Sequence, residues 1–166
     1  GIIQNNSIIG NLAYRNGGGL SDCTGTIENC IIWQNLANNG AQLNACSSPS
    51  YSCIQNWVGS GEYNIDADPL FVDEVNGDYH LQFGSACIDT GDPSYIAEPE
   101  ETDLDGNERI INGIVDMGAY EANPIEAKLR MLPRVINRRS RTRYIIAIVR
   151  LPRGVERNDI ESDEPL

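Results

Sequence analysis

A repeat of 22 to 23 residues constrains this chain more than any other feature. Asn6-Ser7-Ile8-Ile9, Asn29-Cys30-Ile31-Ile32 and Tyr51-Ser52-Cys53-Ile54 align as one recurring short strand, with equivalent positions 23 and 22 residues apart. An Asn follows each, at Asn11, Asn35 and Asn56. Between them a second element recurs as Gly18-Gly19-Leu20, Gly40-Ala41-Gln42-Leu43 and Gly61-Glu62-Tyr63-Asn64-Ile65. The apolar runs are short, β-branched and broken by Gly and Asn, so they cannot supply the long 3.6-residue stripe of a helical repeat. A period this short, made of strands, predicts a β-solenoid in which each coil lies beside the next and equivalent side chains stack in ladders. On this alignment Ile8, Ile31 and Cys53 stack on one wall. The Asn residues turn the corners, where their side chains tolerate left-handed backbone and bond along the ladder.

Charge divides the chain. Residues 1–123 carry 18 acidic side chains against Arg15 and Arg109, a net −16, whereas residues 124–166 carry ten basic and six acidic ones, a net +4. A boundary is expected near Asn123-Pro124. An acidic body repels phosphates and anionic headgroups, which excludes nucleic acid and membrane surfaces as natural partners of the first part. No run reaches the roughly 20 apolar residues that cross a bilayer, so no membrane insertion is expected. The stretch Arg138-Arg139-Ser140-Arg141-Thr142-Arg143 lacks interleaved aromatics and precedes an apolar strand pattern. It reads as a solvated turn and strand edge rather than a nucleic-acid site.

Five cysteines, Cys23, Cys30, Cys46, Cys53 and Cys87, form no C-x-x-C pair, and His80 is the only histidine, which argues against zinc. Cys46 and Cys53 flank the turn Ser47-Ser48-Pro49-Ser50 and are candidates for a disulfide. Buried free thiols are an equal alternative. An odd count leaves at least one thiol unpaired within this stretch.

Phrases such as Asn29-Cys30-Ile31-Ile32-Trp33-Gln34-Asn35 and Gly17-Gly18-Gly19-Leu20 resemble rungs of right-handed parallel β-helix repeat proteins. More specific is the order Asn64-Ile65-Asp66-Ala67-Asp68-Pro69-Leu70-Phe71-Val72-Asp73, Gly77-Asp78-Tyr79-His80-Leu81-Gln82, Gly84-Ser85-Ala86-Cys87-Ile88-Asp89-Thr90-Gly91-Asp92, Thr102-Asp103-Leu104-Asp105-Gly106-Asn107 and Val115-Asp116-Met117-Gly118-Ala119-Tyr120-Glu121. It resembles the C-terminal closing region of large secreted bacterial β-helix proteins, often called choice-of-anchor proteins. The resemblance implies an all-β chain: coils of a right-handed parallel β-helix over residues 1–63, a closing region over 64–123, and an incomplete module over 124–166. It also implies an extracellular or cell-surface location, polysaccharide as partner and a monomer. Because the chain starts inside the repeat, at Gly1, it is expected to be the C-terminal end of a longer protein. The closing region is expected to fold over the last coil, anchored by Phe71, Leu81, Phe83, Ile88 and Tyr120, because an open edge and a bare apolar cross-section invite aggregation.

After Pro124, the phrases Arg134-Val135-Ile136 and Tyr144-Ile145-Ile146-Ala147-Ile148-Val149 resemble the opening of an immunoglobulin-like sandwich module. Two or three strands leave one sheet face uncovered, so residues 124–166 are expected to be loosely placed when isolated.

Chemistry is sparse. Asp103, Asp105 and Asn107 alternate across Gly106 as at the start of a calcium loop, but the position of the closing EF-hand Glu is Ile114. Asp116 or Glu121 could close a looser site; an Asp-Gly turn is the preferred reading. Asp66, Asp68, Asp73, Asp78, Asp89 and Asp92 offer carboxylates for a glycosidase pair, yet turn formation accounts for most of them. His80, in the alternating run Asp78-Tyr79-His80-Leu81-Gln82-Phe83, lacks a neighbouring nucleophile and is expected to be structural. Trp33, Trp57, Tyr14 and Tyr63 could stack on sugars if they share an exposed face; corner filling is the plainer reading. No catalytic, cofactor-binding or metal-ligating set is therefore expected. The reading that follows is a structural or ligand-displaying part of an extracellular protein, polysaccharide-associated or adhesive. Its alternatives are the C-terminal part of a polysaccharide lyase or glycoside hydrolase whose active site lies upstream, and a purely architectural spacer.

Overall fold

The computed structural model describes residues 1–122 and, beyond them, the backbone of the strands at 128–132 and 146–150. The chain is all-β: among the described residues the only helical element is a single 3₁₀ turn, Glu74–Asn76. It divides into two compact units, Gly1–Asn123 and Pro124–Leu166.

In the first unit, β1 (Ile2–Gln4), β2 (Ser7–Ile9) and β3 (Leu20–Ser21) recur as β4 (Thr26–Glu28), β5 (Ile31–Trp33) and β6 (Leu43–Asn44), and β2 recurs once more as β7 (Cys53–Ile54). Each pairs in parallel with its counterpart, giving the small sheets β1-β4, β2-β5-β7 and β3-β6. Residues that must turn the chain share positive φ at equivalent places: Asn5, Asn29 and Tyr51; Gly10, Gln34 and Asn56; Asp22 and Ala45. These left-handed residues set where each turn between the parallel strands is made.

The register differs from the sequence alignment by one residue in the first repeat. Ser7 pairs with Ile31, Ile8 with Ile32 and Ile9 with Trp33, an offset of 24. Ile31 then pairs with Cys53 and Ile32 with Ile54, an offset of 22. The expected Ile8-Ile31-Cys53 ladder is thus replaced by two, Ile8-Ile32-Ile54 and Ser7-Ile31-Cys53, on opposite faces of the sheet. A one-residue slip exchanges faces. The apolar run satisfies either register, and the left-handed corner decides, because Asn5 rather than Asn6 occupies the position of Asn29. Asn11 and Asn35 are likewise not the left-handed residues at the next corner; Gly10 and Gln34 are, and only Asn56 matches the expectation. Buried Asn35 still bonds along the ladder, accepting from the Asn11 backbone N–H at 2.9 Å and donating to the Ile8 carbonyl at 2.8 Å.

The three sheets turn one face each onto a single apolar cluster of Ile27, Cys30, Ile32 and Ile54, packed by Ile3, Ile8, Leu20, Leu43 and Trp57. The other face of β2-β5-β7 carries a second cluster, where Ile31, Trp33 and Cys53 meet Phe71, Cys87 and Met117. Residues 64–121 therefore do not simply fold over the end of the repeat as expected. Ile65 covers the free edge of β7, its N–H donating to the Ser52 carbonyl at 2.9 Å. The antiparallel pair β8 (Phe71–Asp73) and β9 (Asp78–Leu81) follows. The chain then runs back along the outer face: Gly118 N–H donates to the Asn29 carbonyl at 2.8 Å, Ala119 N–H to Ser7 Oγ at 3.1 Å, and Asn5 Nδ2 to the Tyr95 hydroxyl at 2.9 Å. Both faces of that wall are thereby removed from water. Of the expected anchors, Phe71 is buried and Leu81 packs beside it, whereas Phe83 is 52% exposed. Cys87, Val115 and Met117 are the buried anchors that took its place.

In the second unit, β10 (Lys128–Leu132) and β11 (Ile146–Arg150) pair antiparallel. The expected immunoglobulin-like module and its loose placement lie otherwise outside the described residues.

Candidate functional site

His80 stands between two carboxylates on the surface of residues 64–121. Alternation along β9 directs Asp78 and His80 to the same face. Asp78 Oδ1 lies 2.5 Å from His80 Nδ1, and Asp105 Oδ2 lies 2.6 Å from Nε2. The ring of Tyr120 packs on the imidazole at a centroid distance of 4.1 Å. Partial burial lowers the imidazole's proton affinity, but its hydrogen bonds to Asp78 and then Asp105 outweigh it and raise the pKa above the ordinary value. Asp78 is correspondingly held below the usual carboxylate range by its bond to His80. An imidazolium that donates through both nitrogens has no lone pair with which to accept a proton. Held between the two carboxylates, His80 clamps β9 to the 103–107 turn. Sequence placed Asp78 and His80 together; the partnership with Asp105, 25 residues away, is tertiary.

The calcium-like triplet is committed internally. Asp103 is buried; one carboxylate oxygen accepts from Asp105 N–H (2.9 Å) and Asn107 N–H (2.8 Å), and the other from Asn107 Nδ2 and Glu121 N–H (both 3.0 Å). Burial alone would raise its pKa, but these donors, led by the Glu121 N–H, lower it. Asn107 presents its amide hydrogens, not its oxygen, to Asp103. Among the described residues no group of three or more His, Cys, Asp or Glu side chains is disposed to hold a metal ion.

Beneath this turn lies a buried charge network that the sequence reading did not foresee. Arg109, Asp116 and Glu121 are all nearly inaccessible. Arg109 donates through Nη2 to the Gly118 carbonyl at 2.5 Å and lies 3.4 Å from Glu121, while its Nε has no partner. Glu121 accepts from Asp116 N–H, and Asp116 accepts from Asp89 N–H at 2.7 Å and Ala122 N–H at 2.6 Å. Burial, then the neighbouring Asp116 charge, pushes the Glu121 carboxyl up to about 8 against the pull of Arg109; burial also raises Asp116. The signal was present, since Arg109 is one of two basic residues in the first 123 positions. An acidic chain retaining one Arg beside Asp116-Met117-Gly118 marks a buried neutralising charge.

The remaining candidate Asp residues bind nearby N–H groups or occupy turns. Asp66 accepts from Asn56 N–H, Asp68 from Leu70 N–H, Asp73 from Asn76, and Asp92 from Ser94 N–H and hydroxyl. Asp89 occupies a left-handed turn position. The aromatic residues do not share one face. Trp33 is buried in the outer cluster, whereas Trp57 packs on the inner one, with Gly59 against its ring. Tyr14 is exposed, and Tyr63, 67% exposed, stacks on Tyr51 at 4.7 Å. In comparisons with protein-family models, curated proteins and solved structures, no match to this chain was found.

Proposed function

We propose that residues 1–123 are the last coils and closing region of a right-handed parallel β-helix, and that the chain is a non-catalytic structural or ligand-displaying part of an extracellular bacterial protein, polysaccharide-associated or adhesive. The fold reading is supported by parallel pairs with offsets of 22 to 24 residues, by left-handed corners that recur with them, and by an inner cluster to which all three sheets contribute. The single observation that carries the functional reading is the engagement of His80, with a carboxylate on each ring nitrogen. The one imidazole of the chain is a clamp between Asp78 and Asp105, and the other Asp side chains around it bind chiefly backbone N–H groups. The Tyr51–Tyr63 stack, in which Tyr63 is exposed, offers an aromatic surface that suits the apolar face of a sugar ring. The strongly acidic surface favours neutral over anionic glycans.

A glycan array probed with the full-length protein, with and without calcium, tests this. Binding to neutral glycans that survives a chelator is expected. No binding to any glycan removes the polysaccharide reading, and release of new reducing ends or unsaturated products by this chain replaces it with an enzyme.

A further inference from the structure

The fold brings four of the five cysteines together in two pairs. Cys23 and Cys46 follow β3 and β6, whose register pairs Leu20 with Leu43 and Ser21 with Asn44. Two residues further on, past the left-handed Asp22 and Ala45, the same register brings Cys23 beside Cys46. Ser47 N–H donates to the Cys23 carbonyl at 2.7 Å. Each thiol donates to the carbonyl two residues before it, Ser21 at 3.4 Å and Asn44 at 3.3 Å, so both side chains take the same course. In-register neighbours on adjacent strands stand about 4.8 Å apart, inside the Cα separations a disulfide spans.

The second pair joins distant parts of the chain. Cys53 projects from β7 into the outer cluster and Cys87 packs in that same cluster, both fully buried. Cys30 lies in the inner cluster and donates to the Glu28 carbonyl at 3.1 Å. Cys46 and Cys53, the pair that adjacency in sequence brings to mind, belong to different clusters on different sheets.

We propose that Cys23–Cys46 and Cys53–Cys87 are two oxidisable dithiol sites that close to disulfides by exchange with an external disulfide, and that Cys30 remains a thiol. In each site one thiolate attacks a sulfur of RS–SR, forming a mixed disulfide and releasing RS⁻. The second thiolate then displaces the remaining RS⁻. Two cysteine thiols are oxidised, one external disulfide is reduced to two thiols, and the two protons pass to the departing RS⁻ groups. Access orders the two events. Cys23 and Cys46 are only partly buried and react in the folded protein. Cys53 and Cys87 are sealed beneath Phe71 and Met117, so an external disulfide reaches them only while residues 64–121 are off the wall. Once formed, that bond ties the returning segment to the strand it covers. The proposal stands on packing and register and is independent of the polysaccharide reading.

The test uses the whole chain, fully reduced. One portion is exposed in the folded state to oxidised glutathione; another is refolded from urea in a glutathione redox buffer. Both are quenched by denaturing alkylation, digested and mapped by mass spectrometry. The folded portion is expected to yield a Cys23–Cys46 peptide with Cys53 and Cys87 alkylated, the refolded portion both linkages, and each an alkylated Cys30. In the refolded Cys23→Ser variant, Cys46 is expected to become alkylated while Cys53–Cys87 persists. A Cys46–Cys53 linkage, Cys30 in any linkage, or five alkylated cysteines after oxidative refolding overturns the assignment.

Discussion

Replacing Glu121 by Gln is expected to make the protein more stable at alkaline pH, although it removes one half of its buried Arg109–Glu121 pair. Glu121 is 3% exposed, and its carboxyl is pushed up to about 8 from an ordinary 4.5. A folded-state pKa above the unfolded one means that folding favours the protonated form. The penalty is absent below 4.5, grows as pH rises through the window from 4.5 to about 8, and is complete above it. At 1.36 kcal/mol per unit this shift corresponds to about 5 kcal/mol, a large share of the ~5–15 kcal/mol by which domains are stable. Gln cannot titrate, keeps an oxygen for the Asp116 N–H and nearly matches the neutral acid in shape. Urea unfolding followed by Trp33 and Trp57 fluorescence, in reducing buffer at about pH 5, 7 and 9, measures the difference. The variant is expected to lie within about 1 kcal/mol of wild type at the acid end and several kcal/mol above it at the alkaline end. If Glu121→Gln is instead about 2 kcal/mol or more less stable at pH near 9, attraction to Arg109 outweighs burial and the reasoning fails.

Two further outcomes follow from the geometry. Gly118 has φ +104, and a Cβ there would lie 2.8 Å from Ile31 Cδ1 and 2.9 Å from Ser7 Oγ, whereas Gly84 has φ +89 and open space around it. Gly118→Ala is therefore expected to destabilise by about 1–3 kcal/mol more than Gly84→Ala in urea unfolding, and equal effects would contradict the packing of the returning segment on the β2-β5-β7 wall. His80, the only histidine, gives an unambiguous NMR titration; its pKa is expected above 6.5 and to fall in Asp105→Asn. The sign makes the clamp fully stabilising below the unfolded-state value and lost as pH rises through the raised folded one; a titration at or below 6.5 contradicts it.

The period, the strand identity of the short Ile-rich runs and the turns between them were legible in the sequence, because they depend on local properties. β-branched pairs favour extended backbone, and Gly, Asn and Asp admit left-handed turns. The local roles of most Asp residues were legible for the same reason. Register was not. Ile8-Ile9 fits opposite Ile31-Ile32 or Ile32-Trp33 equally well in apolar terms, and the choice fell to whether Asn5 or Asn6 turned the corner.

Only the tertiary structure decided that the segment after Asn64 runs back along a wall, that Cys53 meets Cys87, and that Arg109 sits among Asp116 and Glu121. Each of these is a contact between residues that sequence separates or leaves ambiguous, and each is settled by competition to bury apolar surface and compensate charge across the whole unit. The amino-acid order by itself determined an all-β chain of short repeated strands. Which of their faces became interior was determined by what else in the chain arrived to cover them.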